Sequence, residues 1–171
     1  VIIIDNLFRG RLENIKEIIQ NGAIFHKLDL LIEDDLISIT NLIQNYEPSI
    51  ILHYAAINGT QYFYDFPQLV AEVNSIGTYN LMKCIEKNTI DKKTYKPVLG
   101  FASTSEVYGE PFEIPSFESS TTHVRIDQSR DSYSAAKLMS EFYIKLFSES
   151  MGIEWIIFRI FNVYGPKMIG S

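Results

Sequence analysis

The 171-residue chain is long enough for one domain with a sizeable core, and its 46% hydrophobic and 21% charged residues are those of an ordinary globular protein. A net charge of −6 leaves no basic stripe to neutralise a phosphate backbone, and no apolar run approaches the roughly 20 residues that span a bilayer, so nucleic acid and membrane are not expected partners. Cys84 stands alone, which rules out an internal disulfide framework; with no signal-peptide pattern at the opening "VIIID", the cytoplasm is the expected location.

In chain order, "VIIID" is a short continuous apolar run, as a strand buried on both faces would be. "RLENIKEIIQNG" then sets Leu12, Ile15, Ile18 and Ile19 on one helical stripe, with Gly22 as its stop. "AIFHKLD" reads as a second strand. "EDDLISITNLIQNY" opens on three acids, which suit a helix N-terminus, and Pro48 lies just past its end. "SIILHYAA" is a third strand, and a long helix is expected from Pro67 to Lys87, with Pro67 in its first turn. "PVLGFAS" is the fourth strand and "IEWIIFRI" the fifth. Between these two lie a long loop and the helix "DSYSAAKLMSEFYIKLFSESMG", closed by Gly152. Strands alternating with helices imply parallel βαβ units and a doubly wound α/β sheet covered on both faces. Both ends look cut, so a fragment of a longer protein is expected.

Four stretches carry candidate chemistry. Asp5, at the end of the first strand, is placed to accept hydrogen bonds from an adenosine ribose, or else simply caps the turn with Asn6. Arg9 and Arg11 nearby could instead receive a 2′-phosphate. The glycines form no GxGxxG, so the first strand of a dinucleotide fold and its phosphate loop would lie upstream of Val1. Y-x-x-x-K occurs twice, at Tyr79/Lys83 inside a helix and at Tyr133/Lys137 in the first turn of another. Residues four apart share a helix face, so Lys137 can bring its ammonium towards the Tyr133 hydroxyl. A tyrosine working as a base near neutrality needs its pKa lowered by about three units, roughly 4 kcal/mol, and a nearby cation acts in that direction.

The third stretch, "STSE", ends the fourth strand on Ser103, Thr104, Ser105 and Glu106, where ligands bind in such sheets. A hydroxyl there can hold a substrate oxygen and Glu106 can act as acid or base, although Ser and Thr also simply begin turns. The long loop starts at this point, and a substrate-facing role is expected for it. The fourth stretch is "RIFNVYGP", where Asn162 could bind a sugar or phosphate oxygen. His26, His53 and His123 are scattered and no metal site is expected.

The ordered set "VIIIDNLFRGRLENI", "LHYAAINGT", "EVNSIGTYNLM", "ASTSEVYGEP", "DSYSAAKLMSE" and "FRIFNVYGP" resembles the extended short-chain dehydrogenase/reductase family, in particular its nucleotide-sugar epimerases and dehydratases. The resemblance implies a Rossmann-like fold and NAD as cofactor. It implies Asp5 and Asn6 at the adenosine ribose, Asp29 and Leu30 near the adenine, and Ala55 and Ala56 along the diphosphate and ribose. It further implies Thr104, Tyr133 and Lys137 as the catalytic set, Tyr133 and Lys137 also touching the cofactor, with Ser105 and Asn162 on the substrate. Residues 1–171 would then be part of the NAD-binding and catalytic domain, without the substrate domain that follows it in the family.

The shared reaction of such enzymes oxidises the sugar at C4 to a 4-keto sugar. An acid at Glu106 resembles the 4,6-dehydratases and the UDP-glucuronate decarboxylases, so a lyase step is the expected sequel. A 4-epimerase is the alternative. A non-catalytic dinucleotide sensor is a third possibility that the hydroxyl–tyrosine–lysine set argues against. A nucleotide sugar feeding surface-polysaccharide synthesis is the expected substrate, and a homodimer paired through two helices per subunit the expected assembly.

Overall fold

Strands and helices alternate along the described residues, 1–166, of the computed structural model. β1 (Ile2–Ile4), α1 (Leu12–Gln20), β2 (Ile24–His26) and α2 (Glu33–Tyr46) lead into β3 (Ile50–His53). Then come α3 (Thr60–Asp65), α4 (Pro67–Asp91), β4 (Val98–Thr104), a 3₁₀ turn (Ser105–Tyr108), α5 (Asp131–Met151) and β5 (Trp155–Ile160). The alternation expected from the sequence is present. The strands are shorter than their apolar runs, α4 continues to Asp91, and α3 was not expected, because a helix of six residues shows too little periodicity to read.

Every strand pair is parallel. β1 pairs with β2, and β4 lies between β3 and β5, its Leu99, Phe101 and Ser103 opposite Trp155, Ile157 and Arg159 of β5. The five strands make two sheets rather than the single one expected, one of β1 and β2 and the other of β3, β4 and β5.

The core forms where α2, α4 and α5 cover one face of the sheets. Ile39 and Ile43 of α2, Leu81, Met82 and Ile85 of α4, and Ile144 of α5 close over Leu99 and Phe101, with Ile51 and Ile157 at the flanks. β4 is central and buried nearly throughout, which is why its sequence is apolar without alternation. The outer strand β5 alternates instead, and its other face leaves Ile156 and Phe158 exposed, as β3 leaves Ile50 and Leu52. Among the described residues that face is not covered, contrary to the two-sided covering expected. α1 buries none of its stripe either: Leu12 and Ile18 remain exposed, because two strands of three residues offer little area to pack on.

The long loop is tied down rather than structureless. The His123 amide donates to the Val107 carbonyl, Phe112 stacks on the His123 ring, and Asp131 in the first turn of α5 accepts from the Arg125 amide. Gly109 makes the exit from the 3₁₀ turn possible. Its φ is +59°, and a Cβ there would lie 2.1 Å from the His123 carbonyl oxygen.

Candidate active site

β4 and α5 bring the central set together. Ser103 and Thr104 are the last residues of β4, and both are buried. The chain then tightens into the 3₁₀ turn, where the Thr104 hydroxyl accepts from the Glu106 amide at 3.2 Å. This explains locally why the strand stops on hydroxyls: a threonine side chain caps the turn that presents Ser105 and Glu106. Tyr133 is the third residue of α5 and is buried with its hydroxyl in hydrogen-bonding reach of Thr104. Glu106 is part-buried and faces Arg130, 3.7 Å away, just before α5 begins.

Lys137 shares the Tyr133 face of α5 but is committed downwards. Its ammonium donates to the Ala102 carbonyl at 3.0 Å and lies 4.8 Å from the centre of the Phe101 ring. Burial lowers its pKa to about 8. Tyr133 is shifted the other way. Burial first, then the charge of Glu106, pushes it up to about 12, and the hydrogen bond from Thr104 only partly opposes this. The site as folded therefore holds Tyr133 as a phenol. His53, buried on Phe101 and hydrogen-bonded to the Thr78 hydroxyl at 2.9 Å, is held neutral, its pKa lowered to about 3 by burial and by Lys137.

A second group gathers at the carboxyl ends of β1, β2 and β3. Asp5 is exposed, and its carboxylate accepts from the Leu7 amide at 2.6 Å and lies against Gly10, so it caps the turn that follows β1. The Asn6 amide donates to Asp29 at 2.8 Å, joining the two strand ends, and Leu30 is pinned to α4 through its carbonyl, which accepts from Asn80 at 2.8 Å. Ala55 is exposed and Ala56 part-buried just past β3. Arg9 donates to the carbonyl and the side chain of Asn58 and covers the Tyr62 ring at 5.2 Å. Asn162 is exposed beyond β5, and Ser105 sits part-buried in the 3₁₀ turn. The other Y-x-x-x-K pair stands apart, Tyr79 packing on Tyr143 and Phe147 while Lys83 pairs with Glu86. Among the described residues no three His, Cys, Asp or Glu side chains gather as metal ligands would.

The sequence reading missed residues that complete this centre. Phe63 of α3 stacks on the Tyr133 ring at 4.8 Å and 19°, and only tertiary structure brings α3 to α5. Glu141 and Arg159 form a pair at 2.8 Å beneath the site. Glu141 had a readable signal: it lies eight residues after Tyr133, on the same helix face, where an acid among apolar neighbours asks for a partner.

Parallel βα units, a hydroxyl–tyrosine–lysine set at a strand's carboxyl end and an acidic cluster at neighbouring strand ends all agree with a match to the family model described as GDP-mannose 4,6 dehydratase over residues 1–171. The chain belongs to that family. Among curated relatives, UDP-glucuronic acid decarboxylase 3 of Arabidopsis thaliana is 32% identical over 173 aligned residues, covering 98% of this chain and 44% of the relative. UDP-glucuronic acid decarboxylase 1 of the same plant is 30% identical over 168, covering 98% and 35%. Among solved structures, the UDP-glucose 4-epimerase of Thermus thermophilus, in complex with NAD, superposes with a TM-score of 0.81 at 27% identity, over 99% of this chain and 49% of that one. The chain thus spans about half the length, or less, of the curated relatives it matches. The resemblance to extended short-chain dehydrogenase/reductases and the Rossmann-like α/β class are both borne out.

Proposed function

We propose that this family member is part of the NAD-binding and catalytic domain of a nucleotide-sugar enzyme that oxidises its substrate at C4 and then carries out a lyase step. The observation that carries the reading is the convergence of Thr104, Glu106 and Tyr133 at the carboxyl end of β4, with Lys137 one turn further along α5. The donor set fits NAD. The exposed Asp5 at the end of β1 suits a ribose hydroxyl, and the adjoining Asn6 bonds Asp29 at the end of β2. The small side chains of Ala55 and Ala56 leave the backbone past β3 accessible to a diphosphate. Arg9 is spent on Asn58 and Tyr62, which disfavours a 2′-phosphate there. When bound, NAD accepts the C4 hydride.

In this reading Thr104 holds the sugar 4-hydroxyl and Tyr133 removes its proton. The phenol must first ionise, and Lys137 is the cation on its helix face that can lower its pKa, by swinging its flexible stem away from Ala102. The resulting 4-ketone acidifies the proton at C5, and Glu106 is placed to take it, opening dehydration. In a uronate the same ketone stands β to the carboxylate, so carbon dioxide leaves directly. The curated decarboxylase relatives favour the lyase sequel. The 4-epimerase alternative is supported by the epimerase structures that share the fold at 27% identity.

The uncovered sheet face, with Ile50, Leu52, Ile156 and Phe158 exposed, and the division of the strands into two small sheets support the further proposal that this chain is an incomplete domain. A substrate domain and the glycine-rich strand would be supplied by the rest of a longer protein. We also propose a homodimer, because α4 and α5 expose Ile76, Met139, Phe142 and Leu146 along one helix pair. The cytoplasm and a role in surface-polysaccharide synthesis go with that enzyme class. No helix among the described residues is long and apolar enough to cross a membrane.

The deciding experiment incubates the full-length protein with NAD⁺ and UDP-, GDP-, CDP- and dTDP-sugars and identifies products by mass spectrometry. Loss of water or of carbon dioxide supports the lyase reading, and an isomer of unchanged mass supports the epimerase. If water is lost, Glu106→Gln should stop that loss, and unimpaired dehydration in that variant would remove Glu106 from the mechanism; loss of carbon dioxide should survive the substitution.

A further inference from the structure

We propose that Glu141 and Arg159 act as a positioning latch that sets the catalytic face of α5 and the Glu106 turn relative to β4; this rests on the role given to Tyr133 above. Tyr133, Lys137 and Glu141 recur every four residues along one face of α5, and each meets one of three successive residues of β4. Lys137 donates to the Ala102 carbonyl at 3.0 Å, the Ser103 hydroxyl donates to Glu141 Oε1 at 2.5 Å, and Tyr133 reaches Thr104. Arg159 stands opposite Ser103 in the β4–β5 register, so both side chains leave the sheet towards α5.

The guanidinium grips Glu141 with two bonds, Nε to Oε1 at 3.0 Å and Nη2 to Oε2 at 2.8 Å. Its remaining Nη1 donates to the Glu118 carbonyl at 3.2 Å, in the long loop, and its plane lies 4.9 Å from the centre of the Tyr108 ring, in the 3₁₀ turn that holds Glu106. One side-chain pair thus joins β4, β5, α5, the turn and the loop. Stability alone does not account for it. Replacing a buried ion pair with apolar residues of similar volume is often neutral, because desolvation offsets the Coulombic gain. What the fork supplies is direction, and an error of about 1 Å at reacting groups can cost about a hundredfold in rate.

The test uses the full-length protein labelled with 3-fluorotyrosine, the Tyr108 and Tyr133 signals being assigned with Tyr108→Phe and Tyr133→Phe. In the double variant Glu141→Leu/Arg159→Met the apolar pair replaces the charges. The expected result is thermal unfolding close to that of the parent, shifted Tyr108 and Tyr133 fluorine signals, faster amide exchange over residues 105–130, and kcat reduced at least about tenfold with a smaller change in KM. Parent-like signals and exchange in a folded double variant would overturn the latch. If that variant does not fold, Arg159→Lys decides by the same signals, since it keeps the charge but not the two-pronged bond. Full turnover in Tyr133→Phe would instead refute the catalytic reading, leaving the fluorine and exchange data to judge the latch separately.

Discussion

Tyr133 is held between two demands. As a proton acceptor it needs a low pKa, yet burial under Phe63 and the neighbouring charge of Glu106 raise it to about 12. The stacked ring is thus the first place to intervene. Phe63→Leu keeps apolar volume but opens the edge of the phenol to water, so the Tyr133 pKa should fall towards the ordinary value near 10. The fluorinated phenol is itself more acidic than tyrosine, so titration of the fluorotyrosine signal reads the change between parent and variant, and an unmoved midpoint would show that Phe63 does not govern its solvation. Phe63→Ala would be a poorer probe. Emptying a site that is 3% exposed costs about 3–5 kcal/mol, and the titration would then report partial unfolding. Glu106→Gln removes the second cause of the shift and should lower the same midpoint by a smaller step.

At the scale of elements, the site depends on how the strand end, the 3₁₀ turn and the loop pass into one another. Gly109 is the pivot. Gly109→Ala must put a side chain into a left-handed conformation and into the His123 carbonyl, so it should cost about 2 kcal/mol or more and shift Glu106 with the turn. Urea unfolding gives the cost, and a neutral result would mean that the loop yields freely. The same elements show what a sequence can disclose. β4 and α5 are legible because burial and helix geometry act locally: an apolar run ends on hydroxyls, and Tyr133, Lys137 and Glu141 repeat every fourth residue. The stacking of Phe63 on Tyr133 and the grip of Arg159 on Glu141 join positions distant in the chain, so no spacing announces them. The open sheet face was likewise hidden, because "VIIID" and "SIILHYAA" read as buried strands whether or not anything covers them. The direction of Lys137 was hidden too, since sharing a helix face with Tyr133 does not decide which neighbour the ammonium meets.

For the whole molecule, the exposed apolar stripe on α4 and α5 predicts association. Phe142→Glu should convert a dimer of the full-length protein to monomer in light scattering, and an unchanged mass would place the contact elsewhere. The buried titratable groups predict how stability follows pH. His53 keeps its neutral form down to about pH 3 when folded, whereas the unfolded chain binds that proton near 6.5. Between those values the unfolded state holds the extra proton, so stability falls as pH drops below 6.5, by up to about 1.4 kcal/mol per unit. His53→Gln can still hydrogen-bond Thr78 but does not titrate, and it should flatten this limb. Lys137 gives an alkaline limb of the opposite sense. Folded, it loses its proton near 8, while the unfolded chain keeps it to about 10.5, so stability should rise across that interval. Above pH 10 Tyr133 reverses the trend, because the folded state keeps a proton that the unfolded chain releases, and Tyr95, also raised to about 12, adds in the same direction. Urea midpoints from pH 4 to 11 should therefore climb from acid, climb again beyond pH 8 and turn down past pH 10. Lys137→Met should remove the middle rise and, by taking away the second cause of the His53 shift, also shorten the acid limb. A middle rise that survives this substitution would mean that the buried ammonium is not its source.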